Sequence, residues 1–145
     1  MRFMVIVKAT KESEQEGALP DPQLLAEMGK YNEELGRAGI LLAAEGLHPS
    51  SKGARVKVSG KSRTVTDGPF AETKELVAGF WLWQVKSLEE AIEWVKRCPR
   101  CFPTGDYELE IRQVFEMEEF APVLSNDAIE HKNRLRAQLV GQPKK

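Results

Sequence analysis

"VAGFWLW", residues 77–83, is apolar at both parities of a strand. Side chains alternate across a sheet, so Phe80 and Leu82 point one way and Trp81 and Trp83 the other. A strand that is apolar on both sides is covered on both sides. The helices of one small chain cover one face, and a second copy packed sheet to sheet is the simplest cover for the other. A symmetric homodimer is therefore expected, with Trp81 and Trp83 in its core.

The segments around this strand set its partners. Arg2 to Lys8 reads as a first strand, followed by a polar loop to Pro20. Asp21 is placed to cap a helix with Pro22 in its first turn, Leu24, Met28, Tyr31, Leu35 and Ala38 recur at helical spacing, and Gly39 provides the stop. "ILLAAEGLHP", residues 40–49, is a second strand. "ARVKVSG" and "SRTVTD" form a hairpin around Gly60 and Lys61, with Arg55 and Lys57 outward and Val56 and Val58 inward. After residues 77–83, "SLEEAIEWVKR" is a helix opened by a Ser87-x-x-Glu90 capping box, and "DYELEIRQVF" is a last strand with Glu108, Glu110 and Arg112 on its wetter face.

Strand, helix, strand, hairpin, strand, helix, strand is the split β-α-β pattern doubled. The expected class is α+β, ferredoxin-like, with a β-hairpin insertion and helices on one face of an antiparallel sheet. Residues 1–115 make that domain, and 116–145 a C-terminal helical extension with a frayed tail.

The chain has 145 residues, enough for a core without disulfide or metal support. A net charge of −1 gives no global attraction to nucleic acid or anionic membrane, and the opening apolar run is too short for a signal peptide or a span. A cytoplasmic location is expected. Cys98 and Cys101 form a C-x-x-C at a helix C-terminus, where the dipole opposes a thiolate, so the pair reads as incidental to the helix end. His48 and His131 lack metal-ligand spacing relative to the cysteines, and no phosphate-binding glycine loop is present, so neither metal nor cofactor is expected.

"EGLHPS", "VTDGPFAETKE", "GFWLW" and "EEAIEWVKRCP", in that order, resemble the DGPF-motif group of the YCII-related family. The resemblance implies a ferredoxin-like fold that dimerises through its sheets as a dimeric α/β barrel. It also implies bacterial relatives, one type similar to a dehydrochlorinase with a proposed His-Asp pair, and others encoded beside extracytoplasmic-function sigma factors. Asp67 matches the family's motif aspartate, whereas Met28 in "MGKYNEEL" stands where the family's helix histidine is expected.

Three site readings follow, one of them a fold whose pocket is vestigial. In one, His48 substitutes for that histidine and pairs with Asp67 as general acid/base for an elimination, isomerisation or lyase-type step on a small polar molecule. Lys74 would hold an anionic group, with Glu72, Glu45 and Phe70 completing the substrate pocket. In another, the domain is a non-catalytic dimeric module that binds a ligand or a regulatory protein. Each residue also has a plain reading: Asp67 caps an Asp-Gly-Pro turn, Glu72 and Lys74 are solvated, Glu45 faces water at a sheet edge, and Phe70 is core. The basic hairpin, Lys52, Arg55, Lys57, Lys61 and Arg63, suits phosphate, an acidic protein partner or a solvated edge, and its lack of aromatics argues against single-stranded nucleic acid.

Overall fold

A computed structural model describes residues 1–141. It divides into two compact units, residues 1–114 and a C-terminal unit from Phe115 onward.

The first unit holds β1 (Arg2–Lys8), α1 (Pro22–Arg37), β2 (Leu41–Gly46), β3 (Ala54–Ser59), β4 (Ser62–Asp67), β5 (Val77–Gln84), α2 (Leu88–Lys96) and β6 (Leu109–Gln113). Four strands form one sheet in the order β2-β5-β1-β6, with antiparallel pairing throughout, and β3 and β4 form a separate hairpin. The fold is mixed α+β.

Local chemistry explains the boundaries. Asp21 accepts hydrogen bonds from the Gln23 and Leu24 amides (2.8 and 3.2 Å), and Pro22 occupies the first turn, where its missing N–H costs nothing. Gly39 turns the chain out of α1 with φ +73°. At α2, Ser87 caps the Glu90 amide (3.1 Å), but the Glu90 carboxylate accepts from the Lys86 amide (2.7 Å), one residue earlier than a standard capping box would have it.

Strand alternation then decides the core. Phe3, Val5 and Val7 of β1 and Trp81 and Trp83 of β5 share one face and are buried against Tyr31 and Leu35 of α1 and Ala91 of α2. Tyr31 ties the helices together, its ring meeting Trp81 edge-on at 6.2 Å and its hydroxyl donating to the Trp94 carbonyl (2.5 Å). Both tryptophans thus lie under the helices, not in a dimer core as the residue pattern suggested. The expectation failed because parity shows that two faces are apolar without showing which one the helices take. Met4, Ile6, Phe80 and Leu82 occupy the opposite face and are half-buried.

The hairpin departs from expectation as well. Val56, Val58 and Val65 are 57%, 64% and 64% exposed, so no valine of β3 or β4 is inward. The two strands pair only with each other and lack a second layer to bury against.

In the C-terminal unit, the Phe115 and Phe120 rings pack at 5.0 Å and α3 runs Asn126–Gly141. The expected frayed tail at 142–145 lies outside the described residues. Among the described residues, no helix is long and apolar enough to cross a membrane.

Candidate functional site

The hairpin returns to the sheet at Asp67-Gly68-Pro69. Gly68 donates to the Gly53 carbonyl (3.0 Å), and the Phe70 amide donates to Ser50 Oγ (3.1 Å). Ser50 is itself clasped by Glu14, whose carboxylate accepts from the Ser50 hydroxyl (2.5 Å) and amide (3.1 Å). Phe70 lies half-buried under the Arg55 guanidinium, 4.0 Å from its ring centre. Here a serine hydroxyl does the work assigned to the aspartate: the exposed Asp67 side chain accepts no hydrogen bond among the described residues.

His48 is exposed two residues before Ser50, so the turn does return to the segment that follows β2. The imidazole and the Asp67 carboxylate nevertheless share neither a hydrogen bond nor an ion pair. Glu72, in a left-handed conformation (φ 62°), and Lys74 are exposed around a short 3-10 turn, Thr73–Glu75, and neither side chain has an ionic partner among the described residues. Of the six residues singled out in the sequence, Phe70 lines a hollow of ≈ 490 Å³ on the hairpin with Arg55 and Lys57, and Glu45 alone lines a separate cavity beside α1.

That cavity, ≈ 260 Å³, lies between the start of α1, the edge formed by β2 and β5, and the loop after α2. Leu24, Met28, Trp81 and Phe102 give it apolar walls; Asn32, Glu45, Arg100 and Cys101 supply its polar side chains. It lies just under the roughly 300–1,000 Å³ of drug-sized sites, so it suits a small molecule. Glu45 reaches it from an edge strand and is exposed there, as its plain reading required. Asn32 is oriented by Trp81, whose indole N–H donates to Asn32 Oδ1 (2.8 Å).

Met28, where the resemblance led a histidine to be expected, lines this cavity. The sequence reading treated it as a gap, although its place in the helical repeat already put it on the buried face of α1. Arg100, Cys101 and Phe102 were missed too, because the dipole argument was applied to both cysteines of "RCPRCF" together. It fits Cys98, whose amide still bonds the Val95 carbonyl of α2 (3.0 Å), but Cys101 lies beyond Pro99, off the helix.

Cys101 has a built environment. Its amide donates to Tyr107 Oη (2.8 Å), while Arg100 is stapled to the Phe102 and Gly105 carbonyls (2.9 and 2.6 Å) over the Tyr107 ring. Hydrogen bonding from Cys98 holds the Cys101 thiol below its usual range, aided by the Tyr107 hydroxyl and the Arg100 charge against the effect of burial. The same bond, together with burial, pushes the Cys98 thiol up. Among the described residues, no group of three His, Cys, Asp or Glu side chains is placed to hold a metal ion.

Residues 1–118 match the YCII-related domain. An uncharacterised protein of Rhizobium meliloti (strain 1021) is 36% identical over 90 residues, covering 61% of this chain and 73% of the relative. With the match extending over more than half its length, the chain belongs to the YCII-related domain family.

Proposed function

We propose that this chain binds a small, largely apolar molecule with one polar end in the cavity between α1 and the β2–β5 edge, and that it does so as a dimer. The observation that carries the binding reading is the cavity itself, with apolar walls from Leu24, Met28, Trp81 and Phe102 and polar side chains at Asn32, Glu45 and Arg100. This ligand is more apolar than the small polar molecule expected from the sequence. An acid/base mechanism through His48 and Asp67 has less support, because it needs a hydrogen bond that neither side chain makes.

Trp81 lines the cavity, so its fluorescence reports occupancy. A fragment screen by ligand-observed NMR should return binders that compete with one another, change the tryptophan emission, and are lost in Met28→Trp, which fills the space. His48→Ala and Asp67→Asn should leave binding unchanged. Binders that survive Met28→Trp, or fail in Asp67→Asn, would move the site away from the cavity.

The strand order β2-β5-β1-β6, with two helices on one face, supports a ferredoxin-like reading of the first unit, and the string "TDGPFAETKE", residues 66–75, supports its place in the DGPF-motif group. The free face, with Met4, Ile6, Phe80 and Leu82, supports pairing of two sheets into a dimeric α/β barrel. Leu82→Asp places a charge at the centre of that face. Sedimentation should show a dimer for wild type and a folded monomer for the variant; a wild-type monomer at all concentrations would end the dimer reading.

A further inference from the structure

We propose that Cys101 is a nucleophilic thiolate facing the cavity, with Cys98 as its resolving thiol, and that this dithiol reduces small organic hydroperoxides. The substrate class rests on the cavity reading above; the cysteine chemistry does not.

Three observations carry it. Cys101 lines the cavity beside Phe102 and across from Met28, so a molecule held by those apolar walls meets the sulfur. The loop around Cys101 is fixed: Arg100 is anchored through two carbonyls, and Tyr107 accepts a hydrogen bond from the Cys101 amide and packs edge-on against Phe102 (4.9 Å). A phenol donor and a guanidinium beside one sulfur are what a thiolate needs for stabilisation. Finally, the second sulfur is chemically different. Cys98 is free, its thiol donates to the Pro99 carbonyl (3.3 Å), and it is held at the carbonyl end of α2, where the helix dipole disfavours charge. One ionised and one protonated thiol three residues apart at the same helix end make an attacking and resolving pair.

The Cys101 thiolate attacks the terminal oxygen of ROOH; an S–O bond forms as the O–O bond breaks, sulfur loses two electrons, and the departing alkoxide takes a proton from water to become ROH. Cys98 then attacks the sulfenic sulfur, forming the Cys98–Cys101 disulfide as the hydroxyl leaves and combines with the Cys98 proton as water. An external dithiol restores both cysteines by exchange and is itself oxidised to a disulfide.

The test is anaerobically reduced full-length protein treated with cumene hydroperoxide or hydrogen peroxide and followed by peptide mass spectrometry. Wild type should acquire a disulfide between residues 98 and 101. Cys98→Ser should stop at a sulfenic acid that dimedone traps at position 101, and Cys101→Ser should react at least about tenfold more slowly than Cys98→Ser. Peptide mapping of partly oxidised wild type places the first oxidation without any substitution. Equal, slow oxidation of the two cysteines overturns the proposal. Met28→Trp should slow cumene hydroperoxide and leave hydrogen peroxide unaffected. If both rates are unchanged there while Cys101 still reacts first, the apolar hydroperoxide and the cavity reading fall together and the dithiol stands.

Discussion

Gly68→Ala should destabilise the first unit by at least about 3 kcal/mol, at the upper end of what overpacking costs. A Cβ at this position would lie 1.7 Å from the Ser50 carbonyl oxygen and 2.6 Å from its carbon. Both are backbone atoms, so no side chain can swing aside to make room. Nor can the segment retreat, since Gly68 is bonded to the Gly53 carbonyl, Phe70 to Ser50 Oγ, and Ser50 to Glu14. Gly53→Ala is the control: its Cβ would meet the Ser50 carbonyl oxygen at 3.5 Å, an ordinary contact. Urea titration of both variants gives the comparison, with amide exchange across residues 50–70 locating the damage. A Gly68→Ala variant within about 0.5 kcal/mol of wild type would show that the turn does not need glycine.

This result bears on how the motif is understood. The Asp-Gly-Pro string invites attention to its carboxylate, yet in the structure the glycine has the constrained role: it lets the hairpin base lie flat on the Ser50 backbone. That contact could not be read from the sequence, because it joins residues 18 positions apart through a serine that carries no motif.

Elements with a local cause were legible. The first strand, the Asp21-Pro22 start of α1 and the two-residue hairpin turn each follow from residues within a few positions, and each lies where those residues put it. Errors arose where a third dimension chose between equal options. Val56 and Val58 alternate as a buried strand does, but the hairpin has no second layer, so the alternation buries nothing. His48 and Asp67 end two different strands, and ending near the same loop proved insufficient to join their side chains. The cavity was partly visible in the helical repeat of Leu24 and Met28. Its remaining wall comes from the turn that carries Cys101 past the end of α2, and spacing alone does not give that geometry.

The tryptophan pair allows the sharpest test of which face the helices cover. Trp83 is fully buried, 5.9 Å from the Trp81 ring centre and 6.5 Å from that of Tyr31. Trp83→Ala should cost about 3–5 kcal/mol, a large share of the roughly 5–15 kcal/mol that holds a domain of this size together. The cost should be the same in the Leu82→Asp background as in wild type, because the side chain packs under α1 and α2 within one chain; a residue of a dimer core would lose most of its cost in that background. The ring nitrogen adds a second contrast. Trp83 Nε1 is buried with no hydrogen-bond partner, whereas Trp81 Nε1 donates to Asn32. Trp83→Phe removes an unsatisfied donor, a gain of about 1–3 kcal/mol that offsets the lost ring volume. Trp81→Phe gives up a made bond and frees Asn32 in the cavity wall. Denaturant midpoints measured in the Leu82→Asp background should therefore rank Trp83→Phe above Trp81→Phe, with Trp83→Ala lowest. The reverse order of the two phenylalanine variants would mean that Trp83 Nε1 is satisfied in solution, and a Trp83→Ala cost that vanishes in the Leu82→Asp background would return Trp83 to the interface the sequence first suggested.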